Sequence, residues 1–246
     1  FDAAFETVQN AFALLPSNDP RQEHLHFVLG NIALDQGDAQ EAAVHFQRSL
    51  SLSRELGDHR LIAQRSGNVG LALRRQGKHQ EAIHYYVQAV ELLSEIEDPV
   101  QKAIMTMNLG VVYSSLGEFE EAQRYFTDVE PVLRAAGDEL YLSMVYVNMG
   151  IVHFNLQRWA QAETYFLTAI TRYNELNQTR MQVNAMDWLG EVYIASGDYE
   201  NAKQILTQAT ALLNATDSIS PSDKLHATVS EHLAEANSQR QCKSQN

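Results

Sequence analysis

The chain has 246 residues and a formal net charge of −13. A phosphate backbone is bound by a basic surface, so this charge argues against direct contact with nucleic acid. No apolar run nears the roughly 20 residues that span a bilayer, and no basic segment followed by an apolar one opens the chain, so neither a membrane nor a secretory route is expected.

Taken in chain order, Ala4, Val8, Ala11 and Pro16 carry the spacing of the second helix of a two-helix unit whose first helix is missing. Residues 1–16 are therefore expected to be half of a truncated repeat, and the chain a piece of a longer protein. Ser17–Pro20 is a turn, with Pro20 and Arg21 opening a helix. Residues 17–213 hold five repeats, at about Arg21–Leu56, His59–Glu97, Pro99–Ala136, Asp138–Leu176 and Thr179–Leu213. Asp58, Asp98, Asp138 and Asn177 or Thr179 are the expected caps, and Pro99 fits a first helical position. Residues 214–237 read as a loop and a terminal helix that caps the last apolar face through Leu225, Val229, Leu233 and Ala236. Residues 238–246 carry no core-forming pattern and are expected to be disordered. They include Cys242, the only cysteine, which rules out an internal disulfide and fits a reducing cytoplasm.

The repeats are defined by columns forty residues apart. One is Gly30, Gly70, Gly110, Gly150 and Gly190. A second is Gly37, Gly77, Gly117 and Gly197, broken by Gln157, where a looser turn is expected. A third is Ala42, Ala82, Ala122, Ala162 and Ala202. Large rings follow at Phe46, Tyr86, Phe126 and Phe166, with Leu206 in the fifth copy. Within a copy, apolar residues recur at helical spacing on both sides of the second glycine, which predicts a helix, a left-handed stop and another helix. A glycine inside a helix costs roughly 1 kcal/mol against alanine, so its return in every copy implies a compensating close approach between helices. One hairpin cannot bury its apolar stripe alone; a stack can.

These columns resemble the tetratricopeptide repeat, in the long form found in kinesin light chains, Pins-type adaptors and the sensor arms of large bacterial regulators. The resemblance covers about Phe1–Leu213. It implies an all-α fold, a right-handed α-α solenoid of helix-turn-helix repeats, with the first helix of each pair lining a concave groove.

The sequence offers no catalytic constellation, no metal-ligand spacing and no cofactor motif, so the chain is expected not to be an enzyme. Its nine histidines are assigned to solvent or packing roles. The groove remains. Asn68, Asn108 and Asn148 stand two residues before the glycine of three copies, with Val28 and Trp188 in that column at the ends. An amide can donate to and accept from a peptide backbone at once. The resemblance implies that these three hold an extended chain; bonds between neighbouring helices are the alternative, and the sequence leaves both open. Further groove candidates are Gln64, Leu71, Arg74 and Arg75 in the second repeat and Ile104, Met107 and Val111 in the third. The fourth offers Met144, Ile151, Phe154 and Asn155, and the fifth Asn184, Asp187, Trp188 and Glu191. A groove so lined is basic at one end, apolar in the middle and acidic at the other.

The expected function is a non-enzymatic scaffold that holds a protein or peptide segment, with other domains of the same parent chain as possible partners. The alternative is the sensor arm of a larger bacterial ATPase-type signalling or transcription regulator. A third is a scaffold attached to a catalytic domain outside this sequence.

Overall fold

The computed structural model describes residues 7–8, 10–12, 14–16, 19–216, 219 and 223–243. Its helices, in chain order, are α1 Arg21–Asp35, α2 Ala39–Leu56, α3 His59–Arg75, α4 His79–Glu95, α5 Pro99–Ser115, α6 Phe119–Ala136, α7 Glu139–Asn155, α8 Trp159–Glu175, α9 Thr179–Ser196, α10 Tyr199–Asn214 and α11 Lys224–Lys243. The described residues contain no strand. Contacts divide the chain into two compact units, Phe1–Val132 and Leu133–Asn246, with the boundary inside α6. Within the first unit α1 to α5 each pack on the next; within the second, α7 to α11 do the same, and α11 also touches α9. This pairwise order along the chain is that of an α-α solenoid.

The helix interior glycines make room for a ring rather than for a backbone. A Cβ on Gly70 would lie 2.9 Å from the Tyr86 ring, and one on Gly110 or Gly150 would lie 2.8 Å from Phe126 or Phe166. In the fifth copy the same space is filled by Leu206, 2.6 Å away. These rings and the alanines four residues before them are fully buried. The first column is thus the socket, and the ring column the plug.

Both turns of a repeat use a left-handed residue. Between the helices of a pair it is Gly117, at φ +81°, and its equivalents. The looser turn expected at Gln157 is not found. Gln157 adopts φ +56°, and Arg158 N–H donates to His153 O at 2.8 Å, as Glu118 N–H does to Tyr113 O at 3.0 Å. The neighbouring helices fix the turn, and glutamine carries the strain. Between pairs a further column emerges, Gly57, Glu97, Gly137 and Asn177, all with positive φ. Asp58, Asp98 and Asp138 cap α3, α5 and α7 by accepting from Leu61, Gln101 and Tyr141 amides. The fifth pair differs from expectation: Asn177 is the left-handed residue, and Gln178 stands where α3, α5 and α7 have their capping aspartate and makes no side-chain cap.

The first unit also contains a buried ion pair. Glu23, 4% exposed, stands in a column that elsewhere holds the small or apolar Ala63, Ala103, Ser143 and Val183. It receives Arg65 Nε at 2.5 Å and the Ser49 hydroxyl at 2.5 Å, while the Arg65 guanidinium lies 3.9 Å from the Phe27 ring centroid. Glu23, Ser49 and Arg65 come from α1, α2 and α3, so the pair ties the first hairpin to the second.

At the C-terminal end, α11 continues to Lys243, past the Ala236 end expected from the apolar spacing and into the segment expected to be disordered. Of the half-repeat expected over residues 1–16, Ala4 lies outside the described residues, while Val8 packs with Leu29 and Ile32 of α1. Among the described residues no helix is long and apolar enough to cross a membrane.

Candidate functional site

The second unit contains a cavity of about 510 Å3 between α7, α8, α9 and the start of α11. Asn148, Met144 and Val147 reach it from α7, Tyr173 from α8, and Arg180, Met181, Asn184 and Asp187 from α9. Asp223, Lys224, Leu225 and Thr228 close it from the last segment. Its wall is mostly apolar, with two amides and a few charges placed among methionine, valine and leucine. Arg180 is neutralised by an ion pair with Asp223, whose backbone-bonded carboxylate also begins α11. Burial pushes the Tyr173 hydroxyl up to about 12, so it stays neutral. The volume falls in the range of small-ligand sites, about 300–1,000 Å3.

The three asparagines of the column occupy the same position on α3, α5 and α7. Each is half-buried. Their side-chain amides form no hydrogen bond to another described residue, and none is sealed from solvent. Asn68 and Asn108 lie in the first unit with Gln64 and Val111, all half-buried. Arg74, half-buried, and Arg75, exposed, sit in the last turn of α3, where cations favour the carbonyl end of the helix dipole. Asn148 lies in the second unit, where the cavity gives it a setting.

Met107 and Ile104 do not line a surface: they are 1% and 5% exposed. Gly67, Met107 and Asp187, each just before the asparagine column, are buried, whereas Phe27 and Val147 at the same position are half-buried. What packs against each repeat, rather than the position itself, decides whether this side chain is core. The same geometry changes the role of Asp187, which is 5% exposed although its edge reaches the cavity. A carboxylate so placed needs a partner, and the chain supplies one: His232 Nδ1 on α11 lies 2.8 Å from Asp187 Oδ1. His232 Nε2 lies 3.7 Å from Glu191 Oε1. The acidic end expected to receive a basic ligand group therefore faces a histidine of the same molecule. Burial pushes the carboxyls of Asp187 and Glu191 above their usual range, with His232 opposing it.

Ile151, Phe154 and Trp188 gather in one cluster of the second unit around buried Phe166. Trp188 stacks on Phe166 with ring centroids 6.3 Å apart and meets Phe154 edge-on at 5.8 Å. In the fifth copy the ring of Trp188 thus covers the plug of the preceding hairpin where the second, third and fourth copies carry an amide.

Sequence reasoning missed the cavity wall given by Asp223, Lys224, Leu225 and Thr228. The only signal was the apolar spacing of the terminal helix, which showed that it packs but not that it meets α9. Arg180 and Met181 were also missed, being one turn before the candidates chosen on α9.

A tetratricopeptide repeat profile matches residues 22–95, 66–135 and 141–215. No curated protein matches the chain in sequence. Among solved structures, BtubC (BKLC) from P. vanneervenii is 21% identical with a TM-score of 0.69, over 90% of this chain and 92% of that one. A Rap protein in complex with Competence and Sporulation Factor is 17% identical with a TM-score of 0.74, over 78% of this chain and 54% of that one. A signal-transduction ATPase with numerous domains and a tetratricopeptide repeat sensor, from Pyrococcus horikoshii, is 15% identical with a TM-score of 0.70, over 96% of this chain and 36% of that one. At these identities the likeness is one of fold. The repeat profile, the sockets and plugs, and the sequential pairing of helices agree: the chain belongs to the tetratricopeptide repeat family.

Proposed function

We propose that the chain is a non-enzymatic binding module that takes a short peptide segment into the cavity of its second unit. The observation that carries this is the pair of amides, Asn148 and Asn184, set beside Met144, Val147, Met181 and Leu225 in a wall whose charged groups Arg180 and Asp223 are already paired. Asn148 makes no hydrogen bond within the described chain. Such an amide can bond a peptide group in both directions, while Met144, Val147 and Leu225 accept an apolar side chain. Each such bond contributes about 0.5–1.5 kcal/mol net, so affinity depends on the apolar pocket and the amides set orientation. The fold neighbours lend support, since one is a Rap protein with a bound factor and another a Rap regulator with the Phr* peptide. Asn68 and Asn108 offer a second, shallower surface of the same chemistry in the first unit.

The test is binding of the purified chain to an array of peptides of about five to eight residues. Asn148→Ala with Asn184→Ala should weaken the best binders while helicity and melting stay unchanged. No binding above background, or binding indifferent to both substitutions, overturns the reading. A second reading, a sensor arm of a larger ATPase-type regulator, is favoured by the Pyrococcus horikoshii neighbour, of which this chain spans 36%. A melting shift with a small metabolite and none with peptides would select it.

A further inference from the structure

We propose that Asp187, Glu191 and His232 form a site for a divalent transition-metal ion that staples α11 to α9. Asp187 and Glu191 are one turn apart on α9, so both carboxylates leave the same face of the helix. Helix α11 lies against that face and brings in an imidazole. The three donor atoms lie within 4.8 Å of one another, with Asp187 buried and the other two half-buried. Ligands bound at 2.0–2.2 Å around a tetrahedral ion stand about 3.3 Å apart. The Asp187 to His232 edge, at 2.8 Å, is nearly of that length already. Glu191 Oε1 faces the other ring nitrogen, His232 Nε2, at 3.7 Å, so its side chain would turn to share the ion with Asp187 and Nδ1.

Charge favours an ion here. Two carboxylates face one imidazole, at 2.8 Å and 3.7 Å. Even a protonated His232 leaves one negative charge over, and the exposed Glu235 on α11 adds to the field at Glu191. A divalent cation with neutral His232 balances both carboxylates. An imidazole in the set selects zinc, nickel or cobalt over magnesium and calcium, which take oxygen ligands. Asp187 also edges the cavity of the peptide reading, but the metal site needs no peptide and its test uses none.

The experiment titrates the chelator-stripped chain with Zn2+ by calorimetry, and with Co2+ by visible absorption. One equivalent of Zn2+ should bind, the melting temperature should rise with Zn2+ concentration, and Co2+ should give the absorption of a tetrahedral nitrogen and oxygen site. His232→Gln and Glu191→Gln should each weaken Zn2+ at least about tenfold, the loss reached even when groups merely supporting a metal ligand are removed. His24→Gln should change nothing. Glu191 is half-buried, so its variant should melt like the parent without metal and remains decisive if His232→Gln folds poorly. Absence of one-to-one binding overturns the proposal, as does binding that survives Glu191→Gln.

Discussion

The two glycines of α3 make a matched experiment on what an interior glycine is for. Gly67 and Gly70 sit three residues apart in one helix, so alanine at either gains about 1 kcal/mol of helix propensity. The obstacles differ. At Gly70 a Cβ meets the Tyr86 ring at 2.9, 3.0 and 3.1 Å, and that ring is fully buried. A flat ring held on all sides has no torsion that clears the contact, so overpacking of about 1–3 kcal/mol outweighs the gain. At Gly67 a Cβ meets only Met105 Sδ at 2.5 Å and Cε at 2.8 Å. That is the end of an unbranched side chain that can change rotamer. Gly70→Ala should therefore lose about 1 kcal/mol net, and Gly67→Ala should gain about 0.5 kcal/mol. In a chain of this size, that is a fall of about 2–4 °C and a rise of about 1–2 °C. Thermal unfolding followed by far-ultraviolet circular dichroism reads both, whereas Trp159 and Trp188 report on the second unit. A stabilised Gly70→Ala, or shifts of the same sign in the two variants, would refute the socket.

The remaining predictions test strain and buried charge. Burial pushes the Glu23 carboxyl up, but Arg65, Ser49 and Ser53 outweigh it, so the group titrates below its ordinary value of 4.5. A depressed folded value means that its contribution is complete above about pH 4.5 and drains away as pH falls through the folded value. Glu23→Leu with Arg65→Met should flatten the acid limb of the melting profile, and an unchanged limb would clear the pair of that role. Glu23→Ala alone strands Arg65, and denaturant unfolding should show a loss of about 3–5 kcal/mol. Gln157→Gly removes a left-handed glutamine that costs about 1–2 kcal/mol, less the extra freedom glycine gains when unfolded. The expected gain of about 0.5 kcal/mol should appear as a small rise in melting temperature, and a fall would mean that the side chain is needed at the turn.

Much of the fold was legible in the sequence because a repeat states each contact several times over. Gly70 and Tyr86 recur as Gly110 and Phe126, then as Gly150 and Phe166, so the socket and its plug announce themselves. The turn at Gln157 was misjudged because glycine marks a left-handed position only where strain is avoided, and here it is borne. The candidate site was less legible. The asparagine column was visible, but exposure within the column beside it was not, and Met107 was placed on a surface it never reaches.

Period, helix and hairpin were decided by residue spacing alone, since each rests on contacts within about forty residues that every copy repeats. The cavity and the meeting of Asp187 with His232 were decided only in three dimensions. Forty-five residues separate those two groups, off the repeat period, and nothing local fixes how far α11 leans over α9. Packing of a terminal helix depends on the whole face it covers, and that face exists only once the hairpins before it are folded.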